Sequence, residues 1–212
     1  MPGAISTPLD TSIPYGLTVN IACAILAGGK NSRIGGKNKA FLKINENFIL
    51  ENITEILGKI FDEIIIVTNN PGEYDFIKDK YFIIKDKIKN IGPLGGIYSA
   101  LLQTTKEAVF IVACDMPYLH GDIIQKEINT FNIFNCDAVV PRINPHIEPL
   151  HSIYRKNIAD NLYSFIKNSN NYSVRNFLKI INVNYLDIED NDFYKKVFTN
   201  INTLEDLKRI SK

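Results

Sequence analysis

Short, continuous apolar runs set the terms for what this chain can fold into. Ile21-Ala22-Cys23-Ala24-Ile25, Ile64-Ile65-Ile66-Val67, Ala108 to Ala113 and Ala138-Val139-Val140 interrupt an otherwise polar sequence. Runs of this length, several of them rich in β-branched residues, fit strands covered on both faces of a parallel sheet. Between the first two, apolar residues at Ile49, Ile53, Ile56, Leu57 and Ile60 recur at helical spacing. Further helices are predicted over 97–104, 120–131, 158–167 and 174–180, and further strands over 81–84, 150–154 and 183–186. Thr203-Leu204-Glu205-Asp206 has the form of a capping box opening another helix. Strands alternating with helices predict an α/β fold: a three-layer, doubly wound, mostly parallel sheet of Rossmann-like type.

In such a sheet ligands sit beyond the carboxyl ends of the strands. The segments that follow strand ends are 26–39, 68–70, 85–96 and Asp115, so they are expected to converge on one rim. The first of them is the most distinctive: Leu26 to Lys43 reads LAGGKNSRIGGKNKAFLK. From Gly28 to Asn45 it carries five cations (Lys30, Arg33, Lys37, Lys39, Lys43) and no acid, in a chain whose net charge is only +1. Glycines let backbone N–H groups approach an anion, so the stretch suits a polyphosphate. Neither the P-loop pattern nor G-x-G-x-x-G is present.

Asp115 stands alone at the end of a very apolar run, the position of a carboxylate that holds Mg²⁺ together with phosphate oxygens and water. Lys39 and Arg33 are the candidates for countering triphosphate charge, the main task in nucleotidyl transfer. Gly92-Pro93-Leu94-Gly95-Gly96 reads as a second glycine-rich loop on which a flat nucleobase or ribose could lie, with a tight strand-to-helix turn as the alternative. The three histidines, His120, His146 and His151, are read as structural or surface residues, and no catalytic dyad is evident.

Composition narrows the rest. With 45% apolar and 22% charged residues the chain is ordinary for a globular protein. A pI near 7.6 gives no reason to expect nucleic acid or an anionic membrane as partner, and no apolar stretch is long enough to span a bilayer. Cys23, Cys114 and Cys136 lie far apart and are read as buried thiols in a reducing compartment, which makes the expected location cytoplasmic. Residues 1–19 hold Pro2, Pro8 and Pro14 and no lysine, arginine or asparagine. They are read as an extension or tag, without the basic and apolar regions of a signal peptide, ahead of a single domain over 20–212.

Taken together these pieces resemble the molybdenum cofactor guanylyltransferases. The likeness is carried by Leu26-Ala27-Gly28-Gly29, Ser32-Arg33, Gly35-Gly36 and Lys39, then by residues 92–96 and Cys114-Asp115-Met116-Pro117. It continues through Glu148-Pro149-Leu150-His151, Ser173-Val174-Arg175, Phe177-Leu178 and Asn200-Ile201-Asn202-Thr203. The resemblance implies a nucleotidyltransferase fold and transfer of GMP from GTP to the phosphate of Mo-molybdopterin, with pyrophosphate released. It implies that Leu26, Ala27, Gly28, Gly29, Gly36 and Lys39 line the GTP site and that Asp115 binds both Mg²⁺ and nucleotide. Asp86, with Thr68, Asn69 or Asn70, would hold the nucleoside, and Gly92, Pro93 and Leu94 would complete that wall. Arg175, Asn200 and Asn202 would face the pterin or its phosphate. Proteins that deliver molybdopterin, and chaperones of molybdoenzymes, are the implied partners. Leu204 departs from the family, which often has Pro there. A nucleotidyltransferase using CTP or a sugar 1-phosphate, and a non-catalytic GTP-binding protein, remain the alternatives.

Overall fold

The computed structural model describes residues 19–28, 33–44 and 46–210, with only the backbone of Arg33, Leu204, Arg209 and Ile210. The extension expected over 1–19 lies outside these residues except for Val19, whose N–H donates to Asn132 Oδ1 at 2.9 Å.

The chain opens with β1 (Ile21–Leu26). Two small hairpins follow, β2 (Arg33–Ile34) with β3 (Lys37–Asn38), and β4 (Lys43–Ile44) with β5 (Asn47–Phe48). Then come α1 (Ile49–Leu57), β6 (Ile64–Thr68), β7 (Phe82–Lys85), α2 (Pro93–Gln103), β8 (Ala108–Ala113) and α3 (Gly121–Ile133). The second half adds β9 (Ala138–Ile143), β10 (His146–Ile147), β11 (His151–Arg155), α4 (Ala159–Asn168), α5 (Val174–Phe177), β12 (Val183–Asp187), α6 (Asp192–Val197) and α7 (Leu204–Ile210).

Eight strands form the main sheet along the path β10-β9-β11-β8-β1-β6-β7, with β12 also paired, in parallel, to β9. β8, β1, β6 and β7 run parallel, and β1 is central, pairing Cys23 with Ile64 on one side and with Phe110 on the other. Alternate side chains of β1 enter two separate cores. Cys23 and Ile25 pack with α1 and α3, while Ala24 packs on the opposite face with α2, α4 and α5. This is the three-layer, mostly parallel α/β sheet expected.

Strand β11 is antiparallel to β8, so its beginning, not its end, reaches the rim where β1, β6, β7 and β8 finish. The Ala113 N–H donates to the Leu150 carbonyl at 3.0 Å and sets Leu150 beside the end of β8. The sequence pattern cannot distinguish this arrangement from a parallel strand, because both neighbours bury β11 equally.

Three local features go beyond or depart from the sequence reading. Residues 93–96 are not loop: α2 begins at Pro93, four residues before the predicted start. Pro93 occupies the first helical position, where its fixed φ fits and its missing N–H costs nothing, and Gly92 precedes it at φ 63°. Gly95 and Gly96 are inside the helix because neighbours crowd them. A Cβ on Gly95 would lie 2.7 and 2.8 Å from the Asp86 carboxylate oxygens, and one on Gly96 would lie 2.9 Å from Leu26 Cδ2. Second, Gly35 and Gly36 are the two positive-φ corners (57° and 81°) of the β2–β3 hairpin, the geometry of a two-residue primed turn. Third, the helix expected over 174–180 is one α-turn (α5) followed by a 3-10 turn, Leu178–Ile180.

Candidate active site

A cleft of about 630 Å³ opens at the rim where β1, β6, β7 and β8 end. Leu26 at the end of β1 and Gly28 beyond it, Asn69 after β6, Asp86 after β7 and Cys114 and Asp115 after β8 all line it, joined by Gly92, Pro93, Lys39 and Asn202. Residues scattered over 176 positions of sequence meet here because four parallel strands deliver their ends to one edge.

At its floor is an ion pair. The β2–β3 hairpin delivers the chain to Asn38, whose Oδ1 accepts the Ala40 N–H at 3.0 Å and caps a 3-10 turn, Lys39–Phe41. The amide of Asn38 is itself held, its Nδ2 donating to Tyr74 Oη at 3.0 Å and Glu73 Oε2 at 2.8 Å. So anchored, Lys39 is 2% exposed, and its ammonium donates to Asp115 Oδ2 at 2.8 Å and to Asn202 Oδ1 at 3.2 Å. The Asp115 side chain remains 21% exposed. Its own carbonyl accepts the Ile201 N–H at 2.8 Å, which pins the segment carrying Asn202 against the end of β8. At Cys114, next in line, burial and the neighbouring Asp115 charge push the thiol up to about 12, so it stays protonated near neutral pH.

The opposite wall offers hydrogen-bond acceptors. Asp86 Oδ1 accepts the Ile88 N–H at 3.1 Å and lies 3.3 Å from Ser99 Oγ. Burial raises its pKa against the pull of those two bonds. The carboxylate nests at the first turn of α2, where the helix dipole favours negative charge. Asn69 Oδ1 is buried with no hydrogen-bond partner among the described residues. A buried carbonyl oxygen left unpaired costs about 1–3 kcal/mol, which a ligand donor would offset.

Other residues of the predicted set sit elsewhere. Thr68 is 2% exposed, its Oγ1 accepting the Asn70 N–H at 3.2 Å. Leu94 is fully buried in the core behind the cleft. The Ala27 N–H donates to the Val67 carbonyl at 2.8 Å, continuing the β1–β6 pairing. Gly36 turns the hairpin, and Asn200 and Arg175 are exposed away from the cleft lining, Arg175 Nη2 donating to the Ile147 carbonyl at 3.2 Å. Gly29 and the Arg33 side chain lie outside the described residues.

The sequence reading carried 85–96 to this rim but singled out neither Asn90 nor Leu150 as a lining residue. Asn90 has φ 65°, and an asparagine two residues before a Gly-Pro is a signal for such a left-handed turn. It also missed a dyad. His151 Nδ1 and Glu127 Oε1 lie 2.8 Å apart, both side chains fully buried. The imidazole is edge-on to Phe110 and Phe198, and neither residue lines the cleft. It is a dyad without access to substrate.

Comparison with known proteins agrees with this fold. The family described as "MobA-like NTP transferase domain" matches residues 23–184. A probable molybdenum cofactor guanylyltransferase of Natranaerobius thermophilus is 33% identical over 92% of this chain and 97% of its own. Another, of Peptoclostridium acidaminophilum, is 37% identical over 88% and 86%. Among solved structures, molybdopterin-guanine dinucleotide biosynthesis protein A of Archaeoglobus fulgidus superposes with a TM-score of 0.75 at 26% identity, covering 90% of this chain and 96% of that one.

Proposed function

Because the chain belongs to the molybdenum cofactor guanylyltransferases, enzymes built on a MobA-like nucleotidyltransferase domain, we propose that it transfers GMP from GTP to the terminal phosphate of Mo-molybdopterin. The observation that carries this reading is the meeting of Lys39, Asp115 and Asn202 on one wall of the cleft with Asn69 and Asp86 on another.

In the proposed reaction an oxygen of the acceptor phosphate attacks the α-phosphorus of GTP in line. The bond from that phosphorus to the bridging oxygen breaks, and pyrophosphate leaves with the bond pair. The acceptor phosphate is already ionised near neutral pH, so no general base is needed, in keeping with a cleft that has no histidine on its wall. Lys39, whose charge is buried and pre-oriented, stabilises the charge that develops on the leaving group. Arg33 and the N–H groups after β1 are assigned the same task. The unpaired Asn69 carbonyl and the Asp86 carboxylate are both acceptors, which suits guanine, whose N1–H and N2–H₂ are adjacent donors.

Asp115 would hold Mg²⁺. Among the described residues no group of three or more His, Cys, Asp or Glu is placed to hold a metal, and a lone carboxylate at the end of β8 fits an ion that takes most of its ligands from phosphate and water. Bound there, the ion would neutralise phosphate charge. Arg175 and Asn200, both exposed, are proposed to meet the pterin. The implied protein partners are those that deliver molybdopterin and receive the finished cofactor. Three buried free thiols support a reducing, cytoplasmic location, and no described helix is long and apolar enough to cross a membrane.

The test is pyrophosphate release from GTP and Mg²⁺, with and without Mo-molybdopterin, in the wild type, Asp115→Ala and Asp115→Asn. Release that requires GTP and the pterin and is lost in both variants is the expected result. Release with CTP, or with a sugar 1-phosphate as acceptor, would replace the substrate. GTP binding without turnover on any acceptor would replace the enzyme by a binding protein.

A further inference from the structure

The segment before α7 is tied down more thoroughly than a helix start requires. Asp206 Oδ2 accepts two backbone N–H groups, from Asn202 at 2.9 Å and Thr203 at 2.8 Å. In return the Asp206 N–H donates to Thr203 Oγ1 at 3.0 Å. The Thr203–Asp206 exchange is the reciprocal cap that the helix needs. The bond from the Asn202 N–H is additional, and it fixes the residue whose side-chain carbonyl accepts from the Lys39 ammonium.

We propose that Asp206 is a positioning residue for the transfer reaction: through the Asn202 N–H it holds the Asn202 amide that aims Lys39. The inference rests on the nucleotide reading of the cleft. Lys39 has two side-chain partners, and one of them, Asp115, is the carboxylate assigned to the metal. When that carboxylate turns to another cation, Asn202 is the partner that keeps the ammonium in place. A buried cation whose partner has been shared away drifts, and a misplacement of about 1 Å in a reacting site can cost on the order of a hundredfold. Asn202 thereby belongs to the nucleotide half of the reaction, rather than only to the acceptor half to which the resemblance assigns it. Its control passes to a residue four positions further along that does not line the cleft.

The experiment compares the full chain with Asp206→Ala, Asp206→Asn and Thr203→Ala. It reads melting temperature, GTP affinity by calorimetric titration with Mg²⁺ and no acceptor, and steady-state pyrophosphate release over both substrates. Thr203→Ala removes the hydroxyl side of the cap but leaves both N–H groups on Asp206, so it calibrates the purely structural loss. Asp206→Ala is expected to lower kcat/KM for GTP by about tenfold or more beyond Thr203→Ala, with the acceptor KM within about twofold of wild type. Asp206→Asn, which keeps an acceptor without the charge, is expected to recover most of that loss. In an Asn202→Ala background Asp206→Ala should add less than about twofold, because both act through one contact. Equal losses in Thr203→Ala and Asp206→Ala, full additivity with Asn202→Ala, or no recovery in Asp206→Asn would each overturn the proposal while leaving guanylyl transfer intact. A wild-type chain that binds no nucleoside triphosphate would overturn both.

Discussion

Replacing Glu127 by Gln should change how the stability of this protein responds to pH, and the sign follows from the site. Glu127 sits on the inner face of α3, fully buried, with His151 Nδ1 2.8 Å away. Its Oε2 and His151 Nε2 find no partner among the described residues. Burial, partly opposed by the imidazole, pushes the carboxyl from 4.5 up to about 7. The native Glu127 carboxyl therefore keeps a proton that the glutamate of the unfolded chain has surrendered above about 4.5. Between these two values the folded state binds more protons than the unfolded one, so stability falls as pH rises. A rise from 4.5 to about 7 corresponds to about 3 kcal/mol over the whole interval, or a shift in Tm of roughly 6–12 °C for a chain of this size. Gln keeps the size and the hydrogen bond but carries no proton to lose. Chemical denaturation of both proteins from pH 4 to pH 8 should give a difference curve in which wild type loses ground by about 3 kcal/mol. A flat difference curve would refute the reasoning, because it would mean the buried Glu127 carboxyl retains no extra proton.

Two further outcomes are expected. Gly95→Ala places a methyl against the Ile88 carbonyl and both Asp86 oxygens; overpacking of this kind costs about 1–3 kcal/mol. GTP affinity should fall by more than the change in Tm accounts for, since Asp86 must move, and a stability loss with unchanged affinity would remove Asp86 from the nucleotide site. The three cysteines are free and buried, and the Cys114 thiol is pushed up to about 12. An aromatic disulfide reagent at pH 8 should release colour only as urea unfolds the chain, and rapid reaction of one native thiol would contradict the burial of Cys114 at the cleft.

The strands around the site were legible because their signal is local. Runs such as Ile64-Ile65-Ile66-Val67 announce burial on both faces, and the strand–loop alternation then predicts which ends share a rim. The cap at Thr203 and Asp206 was legible for the same reason, and it starts α7 even with Leu204 where the family often has Pro. The start of α2 was misread because Gly95 and Gly96 resemble loop residues until one knows that Asp86 and Leu26 occupy the space of their side chains. The antiparallel direction of β11 leaves no trace in its composition. The Glu127–His151 pair did leave one: Glu127 interrupts the apolar face formed by Ile123, Ile124 and Phe131, and a charge in such a stripe implies a buried partner. The link from Lys39 to Asn202 spans 163 residues, and no window of sequence contains it.

That span has a kinetic consequence. The ammonium of Lys39 finds Asp115 only when β1 and β8 have paired, and finds Asn202 only when the segment beyond β12 has come back over their ends. Contacts of such long sequence separation close late, after most of the sheet has condensed. A ligand that takes these three groups together has nothing to grip in a half-folded chain. It should leave the folding rate nearly unchanged and slow unfolding instead, so that its protection appears as a longer lifetime of the native state.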